Sequence, residues 1–153
     1  MTGASVQVKI KRMADESGAK APMPSYATEG SAGIDLRAFC SGDVTVAPGS
    51  LAVIPTGISV ELPSGTVGIV AARSGLGVKH GVTLSNGIGV IDSDYRGEIR
   101  VGLCNVSDKP YTIRPGDRIA QLLVLPAVAA CLVETESLSP SERGEGGFGS
   151  TGR

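Results

Sequence analysis

An acidic turn is the part of the sequence best suited to acid–base chemistry. The run from Asp92 to Glu98 reads DSDYRGE and contains three carboxylates. Asp92 follows Val90 and Ile91 directly, so we expect it at the end of a strand, with apolar neighbours. A carboxylate held there could act as a general base towards a water molecule. Acidic turns are also common as solvated loops, so the spacing alone leaves both interpretations open.

The triplet Arg73-Ser74-Gly75 is a candidate anion site. We expect Ser74 to cap a short helix that runs from Gly75 to His80 and ends at Gly81. Backbone N–H groups at the start of a helix, with a guanidinium nearby, attract phosphate groups. A capped helix beside a surface arginine explains the same triplet equally well.

The last twenty residues differ from the rest in composition. From Glu134 onward the sequence is polar, and five of its final ten residues are glycine, which predicts a flexible arm. Phe148 among these glycines, together with cations, hydroxyls and open backbone N–H groups, suits the binding of phosphates. The GxGxxG pattern from Gly144 to Gly149 is not read as a dinucleotide fingerprint, because that motif needs a strand before it and a helix after it.

The single histidine and the three cysteines do not suggest a protein-bound zinc site. His80 is expected to be exposed at the end of an element, and Cys40, Cys104 and Cys131 are widely spaced. We expect all three thiols to be reduced and the protein to be intracellular. A Ser-His-Asp triad stays open, although nothing around His80 favours it.

The elements that position these residues are predicted to be short strands. Hydrophobic residues make up 41% of the chain, with 22 glycines and nine prolines, which is typical of many tight turns. Apolar and polar residues alternate with period two in three segments, 6–10, 58–62 and 99–103. The pattern predicts an all-β sandwich or jelly roll with one short helix.

Turn signals divide the chain into these strands without dividing it into domains. They lie at Ala47-Pro48-Gly49, Leu62-Pro63-Ser64-Gly65 and Arg114-Pro115-Gly116-Asp117. No internal repeat or linker stands out. We therefore predict one domain, with a core over 1–133 and an arm over 134–153.

Charge and hydropathy limit the partners. Fourteen basic and fifteen acidic residues give a formal charge of −1, so no nucleic-acid polymer is expected as a partner. The segment Met1–Ser5 has no apolar core of the kind that a signal peptide carries. The longest apolar stretch, Leu122 to Val133, is too short to span a bilayer and is interrupted by Pro126. We expect a soluble, cytoplasmic protein without a membrane partner.

Five segments of the chain, in order, resemble the five motifs of the trimeric dUTPase family. They are Ala32 to Leu36 (AGIDL), Arg73 to Leu76 (RSGL), Asn86 to Ile99 (NGIGVID continuing to YRGEI), Gly116 to Leu122 (GDRIAQL) and Arg143 to Gly152. Each motif alone is weak, whereas five in the correct order are hard to obtain by chance. One departure is visible, because the family often has proline where this chain has Ala72.

The resemblance implies a jelly-roll subunit with one short helix after the second motif and a flexible, glycine-rich C-terminal arm. It also implies a homotrimer whose active sites are shared between subunits. The substrate would be dUTP, cleaved to dUMP and pyrophosphate, which limits uracil in DNA and supplies dUMP for dTMP synthesis. The implied cofactor is Mg²⁺, held by the triphosphate and waters with no direct protein ligand.

The resemblance also implies a role for each site residue. Asp92 would orient and deprotonate the attacking water, and Tyr95 would pack on the deoxyribose and exclude a 2′-hydroxyl. The backbone of the Thr83 to Val90 hairpin would read the uracil edge. The remaining base or sugar contacts would be Asn86, Gly89, Val90, Ile91 and Phe148. The phosphate contacts would be Arg73, Ser74, Gly75, Gln121, Arg143, Ser150 and Thr151. Asp35 would lie near the water shell of the metal or support an arginine.

Two other functions remain to be weighed. A dCTP deaminase resembles this family in fold and shares part of the third motif, but it would hydrolyse an exocyclic amine. A non-catalytic trimer that only binds nucleotide would use the same fold. The complete fifth motif and Asp92 favour phosphate chemistry over both.

Overall fold

The computed structural model describes residues 5–147 and consists mostly of strands. The strands are β1 (Lys9–Arg12), β2 (Ser25–Tyr26), β3 (Ile34–Arg37), β4 (Val44–Val46), β5 (Leu51–Glu61), β6 (Thr66–Ala72), β7 (Val82–Leu84), β8 (Gly89–Ile91), β9 (Glu98–Asn105), β10 (Tyr111–Ile113) and β11 (Arg118–Pro126). The helix in the described part of the chain is α1 (Ser74–His80). The predicted all-β class with one short helix is confirmed.

The strands form antiparallel sheets of a jelly-roll sandwich. One sheet has the order β1-β5-β9-β7, another has the order β2-β3-β11-β6-β8, and β10 pairs with β4. The long strands β5 and β9 form the centre of the first sheet, and β11 lies between β3 and β6 in the second. Apart from β2 and β3, the paired strands are not consecutive in sequence, so residues from separate motifs meet on adjacent strands.

The core lies between the sheets and is built from aliphatic side chains. Ile99, Val101 and Leu103 of β9 are each 1% exposed, as their alternation predicted. Ile58, Val60 and Leu62 are also buried, but Ser59 between them is buried too, because a register shift interrupts the pairing of β5 with β9. A bulge of this kind changes which residues face inward.

The first strand begins later than its pattern predicted. Val6 lies outside β1 and is 53% exposed, so the prediction of a strand face from Val6 to Ile10 is wrong at its start. Lys9 Nζ donates to Glu61 Oε1 at 2.8 Å across the β1–β5 pair. This hydrogen bond lowers the pKa of Glu61 below its usual value.

The predicted turns are present, and the helix starts one residue away from its predicted position. Gly49, Gly65 and Gly116 all have positive φ, as tight turns require. The helix cap is Arg73, which has extended backbone angles and makes no side-chain cap, so the prediction of Ser74 as the cap is wrong. Ser74 itself is helical, and Gly81 ends the helix in the left-handed conformation as predicted.

The last strand ends at Pro126, and residues 127–147 contain no helix or strand. Several apolar side chains follow that strand almost fully exposed, among them Val128 at 95% and Leu132 at 92%. The predicted boundary between core and arm, at residue 133, stays a prediction. Within residues 5–147, no helix is long and apolar enough to cross a membrane.

Candidate active site

A cleft of about 320 Å³ lies beside the acidic turn. It brings together six of the residues predicted to bind or act on the substrate. They are Asn86, Gly89, Val90, Ile91, Asp92 and Tyr95, and the other lining residues are Val70, Leu84, Glu98, Ile99, Arg100, Val101 and Gly102. The cleft therefore combines apolar walls with a small number of polar groups, as small-molecule sites usually do.

Two glycines that line the cleft allow close packing around it. Gly89 of β8 lies opposite Val70 of β6, and a Cβ at Gly89 would lie 3.0 Å from the Val70 Cβ. On the other wall, a Cβ at Gly102 would lie 2.5 Å from Ser85 Oγ. Glycine at both positions therefore lets the segment between β7 and β8 lie against its neighbours.

The turn after β8 holds the two side chains predicted to have the most direct roles. Asp92 comes immediately after β8 and is exposed, and the Tyr95 N–H donates to the Asp92 carbonyl oxygen at 3.1 Å. Tyr95 is 42% exposed, and its hydroxyl donates to the Glu98 carbonyl oxygen at 2.9 Å. The turn therefore presents a carboxylate and an aromatic ring to the same cleft.

A second cluster, which we call the cation cluster, surrounds Asp35. Asp35 lies on β3 and is 3% exposed, opposite Gln121 of β11, which in turn lies opposite Ala71 of β6. Arg118 Nη1 donates to Asp35 Oδ2 at 3.1 Å, and Gln121 Nε2 donates to Asp35 Oδ1 at 3.4 Å. Residues from the first and fourth motifs are thus brought together by strand pairing.

Arg73 completes the cation cluster at the end of β6. Its Nη1 donates to the Arg118 carbonyl oxygen at 2.9 Å, and its Nε lies 3.4 Å from Asp35 Oδ1. The Nε contact is an ion pair without hydrogen-bond geometry, so this buried N–H has no acceptor among the described residues. A buried donor of this kind calls for a water or a ligand oxygen. Two arginines around one carboxylate leave net positive charge for an anion.

Asp92 and Arg73 of one chain lie apart, at opposite ends of β6. Gly68 of β6 lies opposite Ile91, and Arg73 follows at the far end of the same strand. Five residues of strand span roughly 17 Å. Asp92 extends beyond Ile91, away from Arg73. Direct contacts to a single phosphate require groups about 3 Å from its oxygens, so Asp92 and Arg73 of one chain do not act on the same phosphate.

The remaining predicted residues fall into three groups. Ser74 and Gly75 are exposed in the first turn of α1, next to Arg73. Arg143 is exposed, and its Nε donates to the Gly146 carbonyl oxygen at 2.7 Å, so the structure does not bring it to the cleft or to the cation cluster. Phe148, Ser150 and Thr151 lie outside the described residues.

Sequence reasoning missed Arg118 and Glu98. Arg118 is one of the two arginines on Asp35, and Glu98 lines the cleft while its Oε1 accepts the Gly57 N–H at 2.7 Å. Both residues belong to segments that resemble family motifs, and this membership was the feature of the sequence that could have marked them as site residues. His80, in contrast, is exposed as predicted, with its ring 4.8 Å from that of Tyr111.

The described residues offer little for direct metal coordination. Between residues 5 and 147, no three His, Cys, Asp or Glu side chains converge on one point. The buried carboxylate of Asp35 lies among the groups that would hold phosphates. This donor set fits a Mg²⁺ ion bound mainly by phosphates and waters, since Mg²⁺ usually keeps several waters and takes one or two carboxylates.

The fold and these two clusters define a class of protein, an all-β domain that can bind a phosphorylated ligand beside a candidate general base. A family model described as dUTPase matches residues 19–152. A relative from Actinobacillus pleuropneumoniae serotype 3, named deoxyuridine 5'-triphosphate nucleotidohydrolase, is 48% identical over 148 residues, covering 96% of this chain and 98% of the relative. A relative of the same name from Aeromonas salmonicida is 44% identical over 150 residues, covering 97% and 99%. The chain belongs to the dUTPase family.

Solved structures agree with this assignment. A dUTPase variant of Staphylococcus bacteriophage 80alpha with dUpNHpp superimposes with a TM-score of 0.85 at 28% identity, covering 97% of this chain and all of the other. A dUTPase variant from phage phi11 of S. aureus, described as revealing the coordination of a structural Mg(II) ion, gives a TM-score of 0.73 at 25% identity. That comparison covers 86% of this chain and 98% of the phage protein.

Proposed function

We propose that this protein hydrolyses dUTP to dUMP and pyrophosphate, with Asp92 as the general base. The observation that carries the proposal is the cleft in which Asp92 and Tyr95 lie beside the segment from Asn86 to Ile91. Asp92 would hold a water and accept its proton during attack on the α-phosphorus. The product would limit uracil in DNA and supply dUMP for dTMP synthesis.

Base selection would come from the backbone between Thr83 and Val90. Fixed N–H and C=O groups can match the donor and acceptor pattern of uracil, and cytosine would leave buried polar groups unpaired, at about 1–3 kcal/mol each. Asn86 lies in this segment, and Val90 and Ile91 form the wall next to it. Tyr95 would pack against the deoxyribose, and Phe148 would cover the base.

The phosphates would be held by the cation cluster and by the arm. Arg73 and Gln121, held by Asp35, would contact phosphate oxygens together with Ser74 and Gly75 of α1. Arg143, Ser150 and Thr151 would add donors from the arm. Most of the catalytic effect in phosphoryl transfer comes from alignment and charge neutralisation, which such donors supply.

Asp35 would support Mg²⁺ through waters. When bound, Mg²⁺ supplies positive charge to the triphosphate and orients it. Asp35 would accept hydrogen bonds from metal-bound waters while its carboxylate pairs with Arg73 and accepts a hydrogen bond from Gln121. The cytoplasm is the compartment we propose, consistent with Cys40, Cys104 and Cys131 being free thiols.

We also propose a homotrimer whose sites are shared between chains. In a single chain, roughly 17 Å of strand separates the level of Asp92 from Arg73, which is too far for both to act on one phosphate, so Arg73 would come from another copy. The outer face of β5 and β9 supports such a contact, because Leu51 and Val53 are 69% and 59% exposed there. Val53 lies opposite Gly102, which lines the cleft, so a chain packed on this face would reach the cleft.

Substrate selectivity tests the function directly. With Mg²⁺ present, the protein is expected to release dUMP and pyrophosphate from dUTP and to leave dCTP, dTTP and UTP almost intact. Ion-exchange chromatography of the products is the measurement. Conversion of dCTP to a deaminated product would favour the deaminase. Binding of dUTP without cleavage would favour the non-catalytic module and contradict the role of Asp92.

A charge on the outer face tests the trimer. Val53→Glu is expected to convert the trimer to monomers, because it would bury a carboxylate without a partner in an apolar interface. Light scattering coupled to size-exclusion chromatography measures the mass, and the dUTPase assay should lose activity in parallel. Thr45→Glu is the control, since Thr45 is exposed on β4. A trimeric, active Val53→Glu protein would remove this face from the interface.

A further inference from the structure

The Tyr95 ring packs against the backbone of the residues that follow it, Gly97 and Glu98. The ring folds back over Gly97, and its hydroxyl donates to the Glu98 carbonyl oxygen at 2.9 Å. Glu98 is itself fixed, because its carboxylate accepts the N–H of Gly57 in the β5 bulge at 2.7 Å. Its side chain is only 19% exposed.

Position 97 requires glycine because the Tyr95 ring leaves no room for a side chain, and not because of the backbone conformation. The φ of Gly97 lies outside the left-handed region, so an alanine could adopt the same backbone conformation. A Cβ there, however, would lie 2.6 Å from Tyr95 Cζ and 3.0 Å from Cε2, and still closer to the hydroxyl oxygen. Carbon atoms in contact prefer about 3.5–4.0 Å. A side chain at this position therefore has to displace the ring.

The displaced group would be the exposed end of a flexible side chain. Tyr95 is 42% exposed and lines the cleft, so its ring can swing outward without disturbing the core. It would lose the hydrogen bond to Glu98 and would change the depth of the cleft. The fold would lose little, whereas the part of the cleft that contacts the sugar would change shape.

We propose that Gly97 is a specificity-determining position, which lets the Tyr95 ring lie against the backbone at the depth that admits deoxyribose and excludes ribose. This inference rests on the proposed role of Tyr95 in the dUTP site. Gly97 acts through Tyr95 and is a positioning residue. Substitution there should affect the choice between dUTP and UTP more than the chemical step.

The test compares kcat and KM for dUTP and UTP in four variants and the wild type. Gly97→Ala is expected to raise the KM for dUTP and to lower the preference for dUTP over UTP by about tenfold or more. The kcat for dUTP should change much less, and the thermal unfolding midpoint should stay close to that of the wild type. Gly42→Ala is the control, because a Cβ at Gly42 meets nothing within 4 Å.

Tyr95→Ala and the double variant separate the possible outcomes. Once the ring is absent, Gly97→Ala should have no further effect, so the double variant should match Tyr95→Ala. A relaxed preference in Tyr95→Ala with none in Gly97→Ala would overturn the inference and leave the role of Tyr95 intact. An unchanged preference for dUTP over UTP in Tyr95→Ala would contradict both the inference about Gly97 and the proposed role of Tyr95. Additive losses in the double variant, or unfolding in both Gly97 variants, would assign Gly97 a purely structural role.

Discussion

Asp92→Asn is expected to lose dUTP turnover by about 10³-fold, within the range measured when a general base is removed. The amide keeps the size and shape of the side chain but cannot accept the proton of the attacking water. Asp92 is exposed at the end of β8, so the substitution disturbs no core contact. The loss should appear in kcat, because the interaction operates in the transition state.

Substrate binding should survive in the same variant. Titration calorimetry with a nonhydrolysable dUTP analogue should give an affinity within a few-fold of the wild type, since the base and phosphate contacts lie on other residues. Asp94→Asn is the matched control, because Asp94 is exposed in the same turn and does not line the cleft. Comparable turnover in Asp92→Asn and the wild type would remove Asp92 from the mechanism.

The strands of the sandwich were predictable because burial imposes a period of two on the sequence. Ile99, Val101 and Leu103 alternate with polar residues and are all buried. Prediction failed where local geometry breaks this period, as in β5, where the register jumps between Pro55 and Ser59. Prediction also failed at Val6, an apolar residue that precedes β1 and is half exposed.

The same limit explains why Arg118 was missed. The pairing of β11 with β3 shifts between Arg118 and Ala120, which places Arg118 and Gln121 on one side although they are three residues apart. Regular alternation would put them on opposite sides. A bulge of this kind leaves no clear signal in a single sequence. The ion pair with Asp35 therefore emerges only from the strand register.

The distance between Asp92 and Arg73 could not be predicted from the sequence either. The motif order places Arg73 and Asp92 less than twenty residues apart, which suggests proximity. Strand pairing instead sends β6 and β8 in opposite directions, so the two residues lie at opposite ends of β6. The distance between Arg73 and Asp92 therefore becomes known only from the register of β6 with β8.

This separation predicts that two inactive variants complement each other. Arg73→Ala damages the cation cluster and Asp92→Asn damages the cleft, so each alone is expected to be inactive. In a trimer that mixes both chains at random, a site takes its cleft from one chain and its cluster from another. Every mixed trimer should then contain one site in three with an intact cleft and an intact cluster, whichever chain is in the majority.

Differently tagged chains, co-expressed and purified through both tags, allow this measurement. A mixture of Arg73→Ala with Asp35→Ala is the control, because both substitutions lie in the cation cluster and no mixed site would escape damage. Recovery in the first mixture alone would require cleft and cluster to come from different chains. An absence of recovery in trimers that demonstrably contain both chains would mean that one chain supplies both. In that case the roughly 17 Å between Asp92 and Arg73 would have to be closed by movement of the Asp92 turn instead of by a neighbouring subunit.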